Sequence, residues 1–179
     1  MNPLLKDIFA EAKSIIALAS EKGLTIGTAE SCTGGLIGGA ITALPGSSAV
    51  FKGSIVAYDN SIKTKLLGVS PSVIGKYGAV SQKTAERMAA GAVERLGVDI
   101  AVSVTGIAGP TGGTEDKPVG TVWMGLATKD SVSATHFVYG DIGRNRVRDQ
   151  TCKDALKMIS GTLTSFFNVT PTPTAHIPR

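Results

Sequence analysis

Apolar positions recur along the chain with two spacings, one typical of helices and one typical of buried strands. Helical spacing is clearest at the two ends of the sequence, and short apolar runs bounded by Gly, Pro and Ser clusters lie between them. These short runs predict strands, of which the last two form a hairpin. The predicted helices cover residues 3–22, 33–44, a short piece ending at 67, one turn within 71–77, 81–96 and 144–167, and the predicted strands cover 24–29, 50–58, 99–104, 119–128 and 132–139.

This order of elements predicts an α/β fold, a three-layer α/β/α sandwich built around a mixed sheet. We expect one domain over residues 1–167, followed by a loose Pro- and Thr-rich tail over 168–179. Sites in such folds gather at the carboxyl edge of the strands. Ser31, Tyr58 and Thr105 each follow the end of a predicted strand, so they are candidates to meet there.

Composition narrows the class of protein. Apolar residues make up 42% and charged residues 18% of the 179 positions, as in globular proteins. The net charge of +4 suits a phosphorylated small molecule or a nucleic acid, but a 5% aromatic content without interleaved Arg and Lys argues against nucleic acid. Two cysteines provide no disulfide framework, and no signal peptide or membrane span is recognisable. We therefore expect a cytoplasmic protein without a membrane partner.

Residue counts set several catalytic mechanisms aside. The histidines, His136 and His176, fall in a predicted strand and in the tail, so a Ser-His-Asp triad is not supported. Clustered His, Cys and Asp positions with the spacing of metal ligands are absent from the sequence, as are the common Gly-rich nucleotide motifs. We expect no metal and no cofactor.

The stretch from Thr28 to Gly35 is the strongest candidate for a site. A buried strand leads into it and a helical pattern follows, which places Ser31 at the end of a sheet beside a helix N-terminus. Free N–H groups and the helix dipole would favour negative charge there, either a phosphate or the oxyanion formed when a serine attacks a carbonyl. A Gly-rich turn with a Ser or Thr helix cap is the alternative interpretation.

A serine can be activated without histidine by a lysine whose pKa is lowered by burial, alone or through a tyrosine. Lys63 and Tyr58 lie where a predicted strand bends into a short helix, which can bring both side chains to one place. An ordinary Tyr at the edge of the core and a solvated Lys are the alternative. Cys32 is a rival nucleophile, because a helix N-terminus lowers the pKa of a thiol, although a small Cys packed against the sheet fits equally well.

Two further features have the chemistry to bind a substrate. Thr105 begins a Gly-rich loop whose hydroxyl and amides could position a substrate or cradle an anion, and a surface connection is the alternative. Arg144 and Arg148 lie one helical turn apart near a predicted helix N-terminus, where they could clamp a phosphate. A solvated helix face is the alternative for the two arginines.

Five motifs occur along the chain in the order Thr28–Gly35, Tyr58-x-Asn60-x-x-Lys63, Gly78–Ser81, Val104–Gly113 and Lys117–Thr121. Together they resemble the CinA C-terminal domain family, which includes stand-alone nicotinamide-nucleotide amidases. The resemblance covers roughly residues 5 to 165 and implies a three-layer α/β/α fold and a homodimer. It also implies that the substrate is nicotinamide mononucleotide, whose carboxamide is hydrolysed with release of ammonia in pyridine-nucleotide salvage.

The resemblance implies site residues as well. Ser31, Lys63 and Tyr58 carry over as catalytic, because their motif positions are intact. Near the arginines, Ile142-Gly143 intervenes where relatives have Arg directly after Gly-Asp, which leaves open which arginine meets the phosphate. A non-catalytic nucleotide-binding module acting in competence or DNA-damage responses is the alternative function. The residues that carry over as substrate-binding are Glu30, Cys32, Thr33, Gly34, Gly35, Asn60, Thr105, Gly106, Ala108, Gly109, Arg144 and Arg148.

Overall fold

A computed structural model describes residues 3–165 of the chain. The described residues form helices that alternate with strands over the first two thirds, then a hairpin, then a long helix. The helices are α1 (Pro3–Lys22), α2 (Leu36–Thr42), α3 (Asn60–Leu67), α4 (Pro71–Tyr77), α5 (Gln82–Leu96) and α6 (Arg144–Ser165). The strands are β1 (Ile26–Glu30), β2 (Phe51–Val56), β3 (Ile100–Gly106), β4 (Thr121–Thr128) and β5 (Val132–Val138).

The five strands form one mixed sheet in the order β2-β1-β3-β4-β5. Strand β1 is parallel to β2 on one side and to β3 on the other, and β4 is antiparallel to both of its neighbours, β3 and β5. The predicted α/β fold with a mixed sheet and a final hairpin is confirmed. Because the chain leaves β1 toward β2 and later returns on the far side as β3, the carboxyl end of β1 lies at a switch point of the sheet.

The helices cover both faces of the sheet, which gives the sandwich its three layers. Successive residues of β3 alternate between the faces, as the pleat requires. Val102 belongs to a core shared with buried residues of α1, α2 and α6, whereas Ala101 belongs to a second core with Met88 and Ala92 of α5. A sheet buried on both faces explains why β3 is an almost unbroken apolar run in the sequence.

Helix α3 is held close to α5 by a glycine. A Cβ atom placed on Gly91 would lie 1.9 Å from the carbonyl oxygen of Leu67, the last residue of α3. No side chain fits at that distance, so the backbones of the two helices approach each other directly at this point. The approach fixes where α3, and with it Lys63, sits over the end of the sheet.

The largest difference from the predicted elements lies after β1. The predicted second helix begins near Thr33, whereas α2 begins at Leu36 and a turn occupies the residues between. Gly34 and Gly35 adopt φ values of 63° and 96°, in the left-handed region that favours glycine. These two glycines let the chain turn sharply and present Ser31 before the helix starts.

The predicted tail over 168–179 and the end of the last predicted helix lie outside the described residues. Within residues 3–165, no helix is long and apolar enough to cross a membrane. The same part of the chain contains no group of three or more His, Cys, Asp or Glu side chains placed to hold a metal ion.

Candidate active site

The carboxyl ends of β1, β2 and β3 open into one cavity of about 350 Å³. Its walls come from the turn after β1, the bend between β2 and α3, the loop before α5, the Gly-rich loop after β3 and the start of α6. No Asp or Glu is among the lining residues, so the positive charge at the cavity is not neutralised from within its wall. The lining residues are Ser31, Cys32, Tyr58, Asn60, Lys63, Ala79, Val80, Thr105, Gly106, Ile107, Ala108, Gly109, Thr111, Gly112 and Arg144.

Ser31 and Lys63 meet at the base of this cavity. The Lys63 Nζ atom lies 3.1 Å from the Ser31 Oγ atom, and both side chains are buried, with exposed fractions of 1% and 8%. The parallel pairing of β1 and β2 creates this contact, because it aligns Glu30 with Val56 and so brings the two strand exits side by side. A serine hydroxyl within hydrogen-bond distance of an amine is the arrangement that a nucleophile and its base require.

The surroundings of Lys63 lower the pKa of its amine. Its Nζ atom also donates to the carbonyl oxygens of Ala57, at 2.9 Å, and Tyr58, at 3.2 Å. Burial lowers the pKa of Lys63 below its ordinary value, and the carboxylate of Asp59 only partly opposes that shift. A neutral amine has two N–H donors and one lone pair. The contact in the structure has Lys63 Nζ donating to Ser31 Oγ. In the neutral form, with the two carbonyl oxygens accepting the amine protons, the lone pair is left to accept from the Ser31 hydroxyl.

Tyr58 lines the same cavity but contacts a different partner. Its side chain is 60% exposed, and its hydroxyl accepts a hydrogen bond from Arg144 Nη2 at 2.9 Å. The Nη1 atom of Arg144 donates to the carbonyl oxygen of Gly109, also at 2.9 Å. Arg144 therefore joins Tyr58 to the Gly-rich loop at the mouth of the cavity. The Tyr58 hydroxyl forms no hydrogen bond with Ser31 or Lys63 within the described residues.

Glu30 is buried directly behind the nucleophile. Its carboxylate accepts hydrogen bonds from the side chains of Thr28, Thr33 and Ser54 and from the backbone N–H groups of Gly35, Ile37 and Gly38, three on each oxygen. These contacts fix the turn after β1 to the start of α2. Glu30 does not line the cavity, so the structure gives it a positioning role in place of the predicted contact with substrate.

The carboxylate of Glu30 also changes the expected electrostatics at Ser31. The sequence predicts that free N–H groups at the start of α2 face the site, whereas those of Gly35, Ile37 and Gly38 donate to Glu30. The N–H group of Gly34 donates to the carbonyl oxygen of Ser31 at 3.1 Å. The N–H groups of Cys32 and Thr33 form no bond with a backbone acceptor in residues 3–165. Of these two residues only Cys32 lines the cavity, so its N–H group is the donor of the turn that remains for an oxyanion.

Of the two interpretations of Cys32, the structure favours the small packed side chain over the activated thiol. Burial raises the pKa of Cys32 to about 12, and the nearby carboxylate of Glu30 acts in the same direction. The expected lowering by a helix N-terminus does not occur, because α2 starts four residues later and its first N–H groups face Glu30. Cys32 lines the cavity as a protonated, small apolar side chain.

The structure divides the remaining predicted residues into two groups. Asn60, Thr105, Gly106, Ala108, Gly109 and Arg144 line the cavity with the residues already described, whereas Thr33, Gly34, Gly35 and Arg148 do not.

Arg144 lines the cavity and Arg148 does not, because their guanidinium groups have different partners. Arg148 Nη2 donates to the carbonyl oxygen of Thr33 at 2.8 Å and so braces the turn after β1, while Arg144 reaches the cavity mouth. The hydroxyl of Thr105 is also engaged within the protein, since it donates to the carbonyl oxygen of Ala79 at 2.8 Å. The expectation that this hydroxyl is free to position a substrate is therefore not met in this arrangement.

Part of the cavity wall is absent from the predicted site residues. Ala79, Val80, Ile107, Thr111 and Gly112 line it as well. The sequence does contain a signal for them, because Ala79 and Val80 belong to the Gly78–Ser81 motif and the other three lie within the Val104–Gly113 motif. Within those motifs, spacing gave no chemical reason to single them out. His136, by contrast, stacks on Trp123 with ring centroids 4.5 Å apart and is not part of the cavity, in agreement with its prediction as a strand residue.

Comparison with known proteins agrees with this architecture. The family model of the CinA C-terminal domain matches residues 9–163. A CinA-like protein of Leptospira borgpetersenii is 50% identical over 143 residues, which cover 80% of this chain and 34% of that protein. A CinA-like protein of Synechocystis is 50% identical over 148 residues, which cover 81% of this chain and 35% of that protein. The chain thus spans about a third of the length of these curated relatives.

Solved structures show the same fold. The competence/damage inducible protein CihA from Agrobacterium tumefaciens superposes with a TM-score of 0.86 at 45% identity, covering 88% of this chain and 96% of that one. A CinA superfamily protein from Klebsiella pneumoniae superposes with a TM-score of 0.84 at 25% identity, covering 88% and 98%. Sequence and structure lead to the same assignment: the chain belongs to the CinA C-terminal domain family.

Proposed function

We propose that this chain is an amidohydrolase that converts the carboxamide of nicotinamide mononucleotide into a carboxylate and ammonia, with Ser31 as nucleophile and Lys63 as its base. One observation carries the proposal. The Lys63 amine is buried, has two carbonyl acceptors and lies 3.1 Å from the Ser31 hydroxyl, without a carboxylate in its hydrogen-bonding shell. Such an amine can take the seryl proton without histidine or metal.

In the first half of the reaction, the neutral Lys63 amine removes the Ser31 proton while Oγ bonds to the carboxamide carbon. The carbonyl π electrons move to the oxygen, and we assign stabilisation of this oxygen to the backbone N–H group of Cys32, which lines the cavity. When the oxyanion collapses, the C–N bond breaks and the Lys63 ammonium gives its proton to the leaving nitrogen. Ammonia departs, and the acyl group remains bound to Ser31 as an ester.

In the second half, a water molecule attacks the ester carbon as the neutral Lys63 amine accepts its proton. The Oγ–C bond then breaks, and Lys63 returns the proton to Ser31. The product carboxylic acid ionises in water. Each half begins and ends with a neutral amine, so the lowered pKa of Lys63 serves both steps.

The proton steps are assigned to Lys63 alone, because its contact with Ser31 is direct. Tyr58 was expected to share this chemistry, but its hydroxyl accepts from Arg144. In the proposal, Tyr58 and Arg144 bind the substrate. The planar Arg144 guanidinium keeps N–H donors beyond the two that contact Tyr58 and Gly109, and a cavity without acidic side chains suits a phosphate.

Ammonia release from nicotinamide mononucleotide tests the proposal. We expect turnover by the wild-type chain and a loss of about 10³-fold or more in Ser31→Ala, whereas Ser61→Ala, on the exposed start of α3, keeps it. Hydroxylamine added during turnover should divert the acyl group to a hydroxamate, which direct attack of water on the amide would not yield. Turnover that persists in Ser31→Ala would contradict the mechanism. Tight binding without turnover would instead favour the nucleotide-binding module.

A further inference from the structure

One wall of the cavity includes Ala79 and Val80, in the connection between α4 and α5, whose backbone is held by side chains. The stretch from Tyr77, the last residue of α4, to Val80 is called here the 77–80 segment. Thr105 Oγ1 donates to the carbonyl of Ala79 at 2.8 Å, and the hydroxyls of Ser81 and Thr84 donate to that of Gly78 at 2.9 and 2.7 Å. Each of the four consecutive carbonyl groups accepts a hydrogen bond from a side chain, and the two outer ones share a single donor.

That shared donor is Lys117. Its Nζ atom donates to the carbonyl oxygen of Tyr77 at 3.1 Å and to that of Val80 at 2.8 Å. The ammonium group forms no ion pair within residues 3–165, so these two carbonyl groups are its recorded partners. One cation thereby spans both ends of the 77–80 segment, and hydrogen bonds to a charged donor are stronger than neutral ones.

Lys117 belongs to the loop whose earlier part forms the opposite wall of the cavity, and does not itself line the cavity. The loop that follows β3 lines the cavity with Gly109, Thr111 and Gly112 and then continues to Lys117. A tight turn presents the lysine, since Thr114 N donates to the Lys117 carbonyl at 2.9 Å and Lys117 N donates to Thr114 Oγ1 at 3.1 Å. The lysine therefore ties one wall of the cavity to the other, across 37 residues of sequence from Val80.

The 77–80 segment has donors to offer a ligand. Its carbonyl groups are all engaged, but the backbone N–H groups of Ala79 and Val80 have no hydrogen-bond partner among the described residues. Both residues line the cavity beside Thr105. A wall whose carbonyls are fixed keeps these N–H groups at fixed positions, and a substrate that hydrogen-bonds to them loses less entropy when it binds.

We propose that Lys117 is a positioning residue that sets the affinity of the cavity for its substrate by holding the 77–80 segment against the Gly-rich loop. The inference rests on the proposed function for the identity of the substrate. Lys117 acts through Ala79 and Val80, and Ser31 and Lys63 are placed independently by β1, β2 and α3. Loss of the lysine should therefore weaken substrate binding and leave the chemical step unchanged.

Lys117→Met tests this with Lys83→Met as a matched control. Lys83 also lies near the start of α5, but its Nζ atom pairs with Glu86 and does not contact the 77–80 segment. We expect the KM for nicotinamide mononucleotide to rise about tenfold in Lys117→Met with kcat within about twofold, and both constants to stay near wild type in Lys83→Met. Lys117→Arg, which keeps a cation able to donate to two carbonyls, should recover most of the affinity.

A binding measurement separates this inference from the proposed function. Titration calorimetry with nicotinamide mononucleotide is done in the Ser31→Ala background, where Lys117→Met should raise the Kd by the same factor as the KM. A wild-type chain that binds the nucleotide without turnover overturns the proposed function, and the Kd comparison still decides the role of Lys117. An unchanged KM and Kd in Lys117→Met, or equal losses in Lys117→Met and Lys117→Arg, overturns the inference.

Discussion

Glu30, at the end of β1, and Lys63, on α3 beside it, are two buried ionisable side chains with different kinds of hydrogen-bond partner. Neither forms an ion pair within residues 3–165, although taking a charge out of water without a partner is costly. Glu30 has six hydrogen-bond donors, three of them backbone N–H groups, whereas Lys63 has two carbonyl acceptors and one hydroxyl. Both oxygens of the Glu30 carboxylate are fully hydrogen-bonded by donors. Lys63, by contrast, has one hydrogen bond, to the Ser31 hydroxyl, in which donor and acceptor can exchange roles.

The difference separates a structural charge from a reactive one. Six hydrogen-bond donors hold the Glu30 side chain, so the group serves as a fixed centre that organises the turn and the start of α2. The Ser31 hydroxyl can either accept a proton from Lys63 or donate one to it, so that site accommodates both protonation states of the amine. Buried charge by itself is therefore a poor guide to catalysis, and the kind of partner decides the role.

Removing the reactive charge should have the largest effect. Lys63→Met is expected to lower kcat about 10⁴-fold, because Ser31 loses its base, while Lys65→Met, on the exposed part of the same helix, keeps wild-type activity. Methionine replaces a buried polar amine by an apolar chain of similar length, so the folded variant should be at least as stable as wild type. Ammonia release and urea unfolding measure the two effects. A stable variant with normal turnover would remove Lys63 from the mechanism.

Removing the structural charge should act on stability in the opposite direction. Glu30→Gln is expected to lower the free energy of unfolding by about 3 kcal/mol, because an amide N–H₂ group replaces an acceptor among six donors. Glu94→Gln, at an exposed position of α5, is the matched control and should change it little. Urea midpoints at constant slope give the comparison. Equal stability of the two variants would show that the carboxylate does not organise the turn.

The pH dependence of activity tests the role of Lys63 in the wild-type chain, without a substitution at Glu30. The base form of Lys63 is needed, so kcat/KM should rise with pH and level off above the lowered pKa of this group, falling about tenfold per pH unit below it.

The same shift has a signature in stability. Between the lowered pKa and the ordinary one, the unfolded chain holds a proton on Lys63 that the folded chain has released, so the free energy of unfolding rises with pH across that window. Below the window the full cost of the buried cation is present. The stability advantage of Lys63→Met over wild type should thus be largest at low pH and shrink as pH rises. An advantage that is constant with pH would contradict a depressed pKa.

The smallest effect is expected at Cys32. With a pKa raised to about 12, its thiol is protonated at neutral pH, and Cys32→Ala should keep turnover within about threefold of wild type. Iodoacetamide labelling of the native chain at neutral pH should correspondingly be slow. A loss comparable to that of Ser31→Ala would make the thiol the nucleophile and return Ser31 to a supporting role.

Much of the fold could be predicted because apolar periodicity reports directly on burial. The alternation of helices and strands, the hairpin and the cap at Ser81 follow from local pattern, and Ser81 does accept from Thr84 N. The boundary of α2 was missed because it depends on the left-handed glycines and on Glu30, whose carboxylate contacts residues up to eight positions away. No helical period encodes such a contact.

The sequence predicted which residues belong to the site better than it predicted their hydrogen-bond partners. Ser31, Lys63 and Arg144 do line one cavity, which their motif positions indicated. Helical spacing places Arg144 and Arg148 on one face, yet α6 crosses the turn after β1 so that the second arginine meets the Thr33 carbonyl. Likewise, sequence could not show that the Thr105 hydroxyl is taken by a carbonyl 26 residues earlier, because that pairing arises only when the layers are packed.

The contacts of Lys63 have an architectural consequence. Both carbonyl groups that receive its protons lie five and six positions upstream, so the amine and the groups that tune it form a single short cassette from Ala57 to Lys63. Only the hydroxyl that it serves comes from a distant part of the chain. A protein that keeps residues 57–63 therefore keeps the proton acceptor together with the carbonyl groups around it. The residue that the adjacent strand places against the amine then determines which reaction the protein performs.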